Sequence, residues 1–120
     1  MPDFAVIDPQ AIENLRSLNP GDNDEFLREI VGIFLEDTPQ RITELEQSLK
    51  AGDLPKFTRA AHSIKGSSAN LGAMALRFVA EKLEHESRQT GVAGAAALVD
   101  SIKAEFARAR AELDKLVQPR

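Results

Sequence analysis

The stretch Ala60-Ala61-His62-Ser63-Ile64-Lys65-Gly66-Ser67-Ser68-Ala69-Asn70-Leu71-Gly72 decides how the rest of the chain is read. At about 100° per residue, Phe57, Ala61, Ile64, Ser68 and Leu71 fall on one side of a helix, in the i, i+4, i+7 rhythm of a core-facing stripe. His62 lies well off that stripe. Its neighbours at −4, +3, +4 and +7 are Thr58, Lys65, Gly66 and Ala69. The imidazole is therefore expected on the open side of the helix, with a lysine one turn away. Glycine inside a helix costs about 1 kcal/mol against alanine, so Gly66 needs a reason. Two readings stand open on spacing alone. Either Gly66 lets two helices pack closely and His62 is an ordinary surface histidine, or something must come close to the ring.

Working outward, the flanking residues repeat the helical pattern. Asp53 caps the His62 helix, Pro55 falls in its first turn, and Leu71-Gly72 closes it. Upstream, Asp8-Pro9 starts a short helix with Ile12 and Leu15 as its apolar stripe, ended by Asn19-Pro20-Gly21. Asp22 or Asn23 caps the next helix, whose stripe is Phe26, Ile30, Ile33, Phe34, Ile42, Leu45 and Leu49. Pro39 interrupts it. The apolar register survives across the proline, which predicts one long kinked helix to Lys50, roughly 40 Å at 1.5 Å per residue, stopped by Ala51-Gly52.

Downstream, Met74 to Thr90 places Leu76, Val79, Ala80 and Leu83 inward, and Gly91 and Gly94 flank a turn. The last helix is expected from about Ala95 to Val117, with Leu98, Ile102, Phe106, Ala109, Leu113 and Leu116 as its stripe and Pro119-Arg120 as a frayed tail. Four substantial amphipathic helices with short connections predict an all-α fold, an antiparallel four-helix bundle with a short extra N-terminal helix. Residues 1–120 read as one domain, with the bundle core at about 22–117.

Composition sets the outer bounds. Six phenylalanines with no Trp or Tyr, and a preponderance of Ala, Leu, Glu, Arg and Lys, belong to a helical protein. No cysteine is present, which excludes disulfides and thiolate metal sites. The net charge of −4 argues against a nucleic-acid partner. No apolar run is long enough to span a bilayer, and Met1-Pro2-Asp3-Phe4 lacks the character of a signal peptide, so a cytoplasmic protein is the expectation.

The run from Ala61 through Ala73 resembles the signature of histidine-containing phosphotransfer (HPt) domains, roughly A-H-x-L/I-K-G-S-S-x-x-L-G-A, with Ile64 at the Leu/Ile position. Chain length and helix pattern extend the resemblance over most of the sequence. It implies a phosphorelay intermediate without kinase activity of its own. His62 would accept a phosphoryl group, on the ring nitrogen farther from the backbone, from an aspartate of a response-regulator receiver domain and pass it to another. A hybrid sensor histidine kinase would be a further partner. No cofactor is implied for this chain, since the Mg²⁺ that assists transfer would sit on the receiver; a monomer is expected.

The residue types suit that task. Neutral imidazole is a nucleophile near neutral pH, with an unperturbed pKa of about 6.5. Lys65 at i+3 is placed to hold phosphoryl oxygens by charge-assisted hydrogen bonds. Gly66 and Ala69 keep the surface low for an in-line approach. Ser67 is a candidate hydrogen-bond donor near His62 or Lys65, while Ser68 on the inner stripe is expected to bond back to its own helix.

Other readings are narrower. His85, in Glu81-Lys82-Leu83-Glu84-His85-Glu86, has acidic neighbours and no glycine clearing, and reads as a solvated surface residue. The two histidines do not make a metal-ligand spacing. Lys65-Gly66-Ser67-Ser68 is not a phosphate loop, which needs glycines before Gly-Lys-Ser and a strand in front. A sensor-kinase dimerisation domain usually has an acidic residue after its histidine, where this chain has Ser63. The phosphoacceptor domain of a chemotaxis-type histidine kinase has a motif close to Ala60–Gly66, but the continuation through Gly72 looks more like a relay domain. A non-catalytic helical scaffold is the remaining alternative.

Overall fold

Capping chemistry sets the helix boundaries. In the computed structural model, which describes residues 5–117, the chain forms α1 (Pro9–Leu18), α2 (Glu25–Ala51), α3 (Leu54–Leu71), α4 (Met74–Thr90) and α5 (Ala96–Val117). The opening Met1-Pro2-Asp3-Phe4 and the expected tail at Pro119-Arg120 lie outside the described residues. Asp8 accepts from the Gln10 amide at 3.0 Å and Asp53 from the Lys56 amide at 3.1 Å, each satisfying a donor that a helix start leaves free. The entry to α2 is less regular. Asn23 and Asp24 both adopt left-handed backbone, with φ of 57° and 63°, and Asp22 reaches past them to accept from the Phe26 amide at 3.0 Å. Asp22 thus supplies the expected capping bond, but the helix begins three residues after it.

Helices α2 to α5 form the bundle. In the ring α2–α3–α4–α5, each helix packs on two others and the last closes on the first. The two-residue connection between α2 and α3, the equally short one between α3 and α4, and the turn 91–95 force consecutive helices to run antiparallel. Helix α1 lies outside this ring, against α2 and α3. No strand occurs among the described residues.

The core faces correct the sequence reading most in α2 and α5, while Leu15 of α1 and Val79 of α4, expected inward, are half-buried. Helix α2 continues unbroken through Pro39, as expected. Its buried face is Leu27, Val31, Phe34, Thr38, Ile42, Leu45 and Ser48. Phe26, Ile30 and Leu49 are only half-buried, and Ile33 is 64% exposed. The N-terminal half carries apolar doublets at 26/27, 30/31 and 33/34, so two phases compete, and packing against α3 and α5 selects the inner one. In α5 the buried line is Val99, Ile102, Phe106, Ala109 and Leu113; Leu98 is half-buried and Leu116 exposed. The Phe34 and Phe106 rings meet at 5.6 Å and 52°, a tilted pair that ties α2 to α5.

Gly72 holds α1 in place. Its φ is +71°, and a Cβ there would come to 2.5 Å from the Ala11 Cβ and 3.1 Å from Asp8. The Asp8 amide donates to the Gly72 carbonyl at 2.8 Å. Gly72→Ala is expected to lower stability by about 2 kcal/mol, from the left-handed backbone and the displaced α1 together. Thermal unfolding checks this; an unchanged midpoint would mean that α1 gives way freely.

Candidate functional site

The inner stripe of α3 is as the sequence predicts: Phe57, Ala61, Ile64, Ser68 and Leu71 are buried, and Ala60 joins them. That burial turns the opposite face of α3 outward, and the His62 side chain is 64% exposed. One turn on, Gly66 is exposed, and a Cβ added there would meet no atom within 4 Å. Helix packing therefore does not require glycine at this position, and the reading of Gly66 as a packing residue is set aside. Ala69 is also exposed, so the surface beyond the ring stays low.

The residue that sequence reading missed is Glu84. Helix α4 buries Leu76, Ala80, Leu83 and Ser87, and Glu84 sits among them, its side chain only 4% exposed. A carboxylate so placed needs partners. It has three. Its Oε2 lies 2.9 Å from His62 Nδ1 and 2.9 Å from Arg88 Nη2, and its Oε1 lies 2.8 Å from Lys65 Nζ. Burial by itself would raise the Glu84 pKa. Hydrogen bonds and charge from Lys65 and His62 outweigh it and hold the carboxyl below its usual value.

An ionised carboxylate only accepts, so Nδ1 of His62 is the nitrogen that carries hydrogen. The neutral ring then has its lone pair on Nε2, which has no partner among the described residues. The signal for Glu84 was present in the sequence. It stands four residues after Ala80 and three before Ser87, on a face that also has to meet α3.

Lys65 is half-buried and paired with Glu84 rather than free in solvent. The Ser67 hydroxyl donates to the carbonyls of Ser63 at 3.1 Å and Ile64 at 3.3 Å, so it turns back on its own helix and meets neither His62 nor Lys65. Ser68, fully buried, donates to the Ile64 carbonyl at 2.6 Å, as expected. His85 is exposed and without a polar partner among the described residues. Beside the imidazole, Leu54, Pro55, Thr58, Arg59, His62 and Arg88 line an open hollow of about 490 Å³. Among the described residues, no His/Cys/Asp/Glu group could hold a metal ion, and no helix is long and apolar enough to cross a membrane.

An exposed imidazole held at one nitrogen and open at the other, beside a cleared helix surface, is suited to nucleophilic group transfer. Comparison with known proteins points the same way. The family model described as the Hpt domain matches residues 29–114. A multistep phosphorelay regulator from Schizosaccharomyces pombe is 34% identical over 83 residues, which is 69% of this chain but 28% of that protein. The chain thus spans little more than a quarter of that relative. Histidine-containing phosphotransfer protein 1 of rice is 25% identical over 117 residues, 96% of this chain and 79% of the relative. The crystal structure of histidine-containing phosphotransfer protein B from Pseudomonas aeruginosa superposes with a TM-score of 0.84 at 28% identity, covering 95% of this chain and 96% of that one. The maize phosphotransfer protein ZmHP2 gives a TM-score of 0.82 at 26% identity, over 95% and 88% of the two chains.

Proposed function

This chain belongs to the Hpt domain family, and on that premise we propose that it is a phosphorelay intermediate carrying its phosphoryl group on His62. The observation that supports this assignment most is the His62–Glu84 bond at Nδ1, which leaves Nε2 as the nucleophile on an exposed ring. The donor is an aspartyl phosphate on a receiver domain. The Nε2 lone pair forms the new N–P bond as the bond from phosphorus to the aspartate oxygen breaks, and the aspartate leaves as a carboxylate. No proton has to move. The phosphorylated ring keeps hydrogen on Nδ1 and becomes cationic, and the Glu84 carboxylate beside that N–H offsets its charge. Transfer to a second receiver is the same step reversed, with the electron pair returning to Nε2.

The other residues take supporting parts. Lys65 contributes positive charge one turn from the ring, and Gly66 gives the partner's aspartate access. Ser67 receives no part, because its hydroxyl is spent on its own helix. The domain spans residues 1–120 and acts as a monomeric carrier in the cytoplasm, between receiver domains and with a hybrid sensor kinase upstream. No cofactor is assigned to this chain; Mg²⁺, which would offset charge during transfer, is assigned to the receiver.

Two incubations test the proposal. With ATP and Mg²⁺ alone the protein is expected to stay unlabelled, as a carrier without a nucleotide site would. With a phosphorylated receiver domain it is expected to gain an acid-labile, base-stable label that leaves again when an unphosphorylated receiver is added. Labelling by ATP alone would make the chain a kinase and overturn the proposal.

A further inference from the structure

We infer that Arg88 is the side chain that grips the phosphoryl group on His62, released for that task from Glu84, while Lys65 remains on Glu84. The inference rests on His62 as the phosphoryl carrier and changes the part played by its neighbours.

The argument starts from the distribution of charge around one buried carboxylate. Glu84 faces two permanent cations, one more than it needs. They are not held alike. Lys65 has Oε1 to itself at 2.8 Å, whereas Arg88 shares Oε2 with the His62 ring. The Lys65 side chain is 28% exposed and that of Arg88 is 63% exposed. Moving Lys65 would strip a buried anion of its main partner. Moving Arg88 breaks a pair whose cation already stands largely in water and leaves Oε2 still bonded to the His62 ring, so it costs less than moving Lys65.

Geometry and chemistry then favour Arg88 over the other cations nearby. Arg88 lines the hollow beside the imidazole, so a short swing carries it from Glu84 toward a group on Nε2. Its planar guanidinium matches two phosphoryl oxygens at once, which an ammonium does not. Arg59 lines the same hollow and has no ion pair among the described residues. It stands three residues before His62 on α3, however, and helical side chains lean toward the N-terminus, so Arg59 leans away from the ring. Charge also closes. A phosphoryl group brings close to two negative charges and the ring gains one positive. With Lys65 on Glu84 and Arg88 on the phosphoryl oxygens, the site is near neutral.

Phosphorus NMR on protein labelled at His62 with phosphoramidate tests this. A cation in contact with the phosphoryl oxygens lowers the pH at which the dianionic group takes up a proton. Arg88→Gln is expected to raise that midpoint by about half to one pH unit, Arg88→Lys to restore part of the shift, and Arg59→Gln to leave it in place. On phosphorylation the Arg88 side-chain resonances should move and the Lys65 ammonium should not. An unmoved midpoint in Arg88→Gln overturns the inference, as does an equal shift in Arg59→Gln, which would indicate a general field and not a grip. A wild-type protein that takes no label on His62 defeats the phosphocarrier reading itself, a failure distinct from labelled variants with equal midpoints.

Discussion

His62→Gln is expected to abolish phosphoryl acceptance and leave the thermal midpoint almost where it was. The imidazole is 64% exposed, and its polar contact with the protein is the bond from Nδ1 to Glu84. Glutamine keeps a donor within reach of that carboxylate but has no nitrogen with a nucleophilic lone pair. With that donor kept and the side chain in solvent, the expected change in stability is about 0.5 kcal/mol. His85→Gln is the matched control. His85 is exposed, like His62, but has neither a carboxylate partner nor a glycine-cleared surface, so its loss should not affect acceptance. Acceptance assays and thermal unfolding on both variants check the pair. Equal behaviour of the two would show that the helix face has been misassigned.

Gly66→Leu is expected to separate stability from transfer. Leucine is the better helix former by about 0.8 kcal/mol, and a Cβ at residue 66 meets no atom within 4 Å, so the variant should be as stable as the parent or more so. Its side chain would stand one turn from the imidazole, in the path of the incoming aspartate. In-line transfer tolerates little misplacement, and a displacement of an ångström is enough to slow a reaction about a hundredfold. Stability and transfer rate have to be read on the same sample. A stable variant with undiminished transfer would mean that the partner reaches His62 from another side. A destabilised one would return Gly66 to a packing role that its surroundings do not suggest.

The elements most legible in the sequence are those where one periodicity had no rival. Helix α3 offers a single apolar line, so its buried face and the exposure of His62 follow directly. The proline in α2 did not mislead, because the apolar register continues on both sides of it. The N-terminal half of α2 did mislead. Apolar doublets support two faces equally, and only contact with neighbouring helices leaves Ile33 in solvent. The site was half visible. His62 and Gly66 depend on one helix, and one helix can be read from its own residues. Glu84 depends on the meeting of α3 and α4, and a buried carboxylate in a run of acidic residues looks like part of a solvated face until that meeting is known. The position of Lys65 one turn after His62 follows from the sequence, but its partnership with Glu84 was hidden for the same reason. Ser67 shows the converse error, a hydroxyl credited with a tertiary role when its own helix satisfies it.

The central claim is that the transferred group resides on Nε2 of His62. Label the wild-type chain from a phosphorylated receiver domain and locate the phosphoryl group by fragmentation mass spectrometry, with nitrogen and phosphorus NMR to identify the bonded ring atom. The result expected is one N–P bond at His62, through Nε2, with hydrogen retained on Nδ1. A phosphoryl group on Nδ1, on His85 or on a carboxylate would contradict the account.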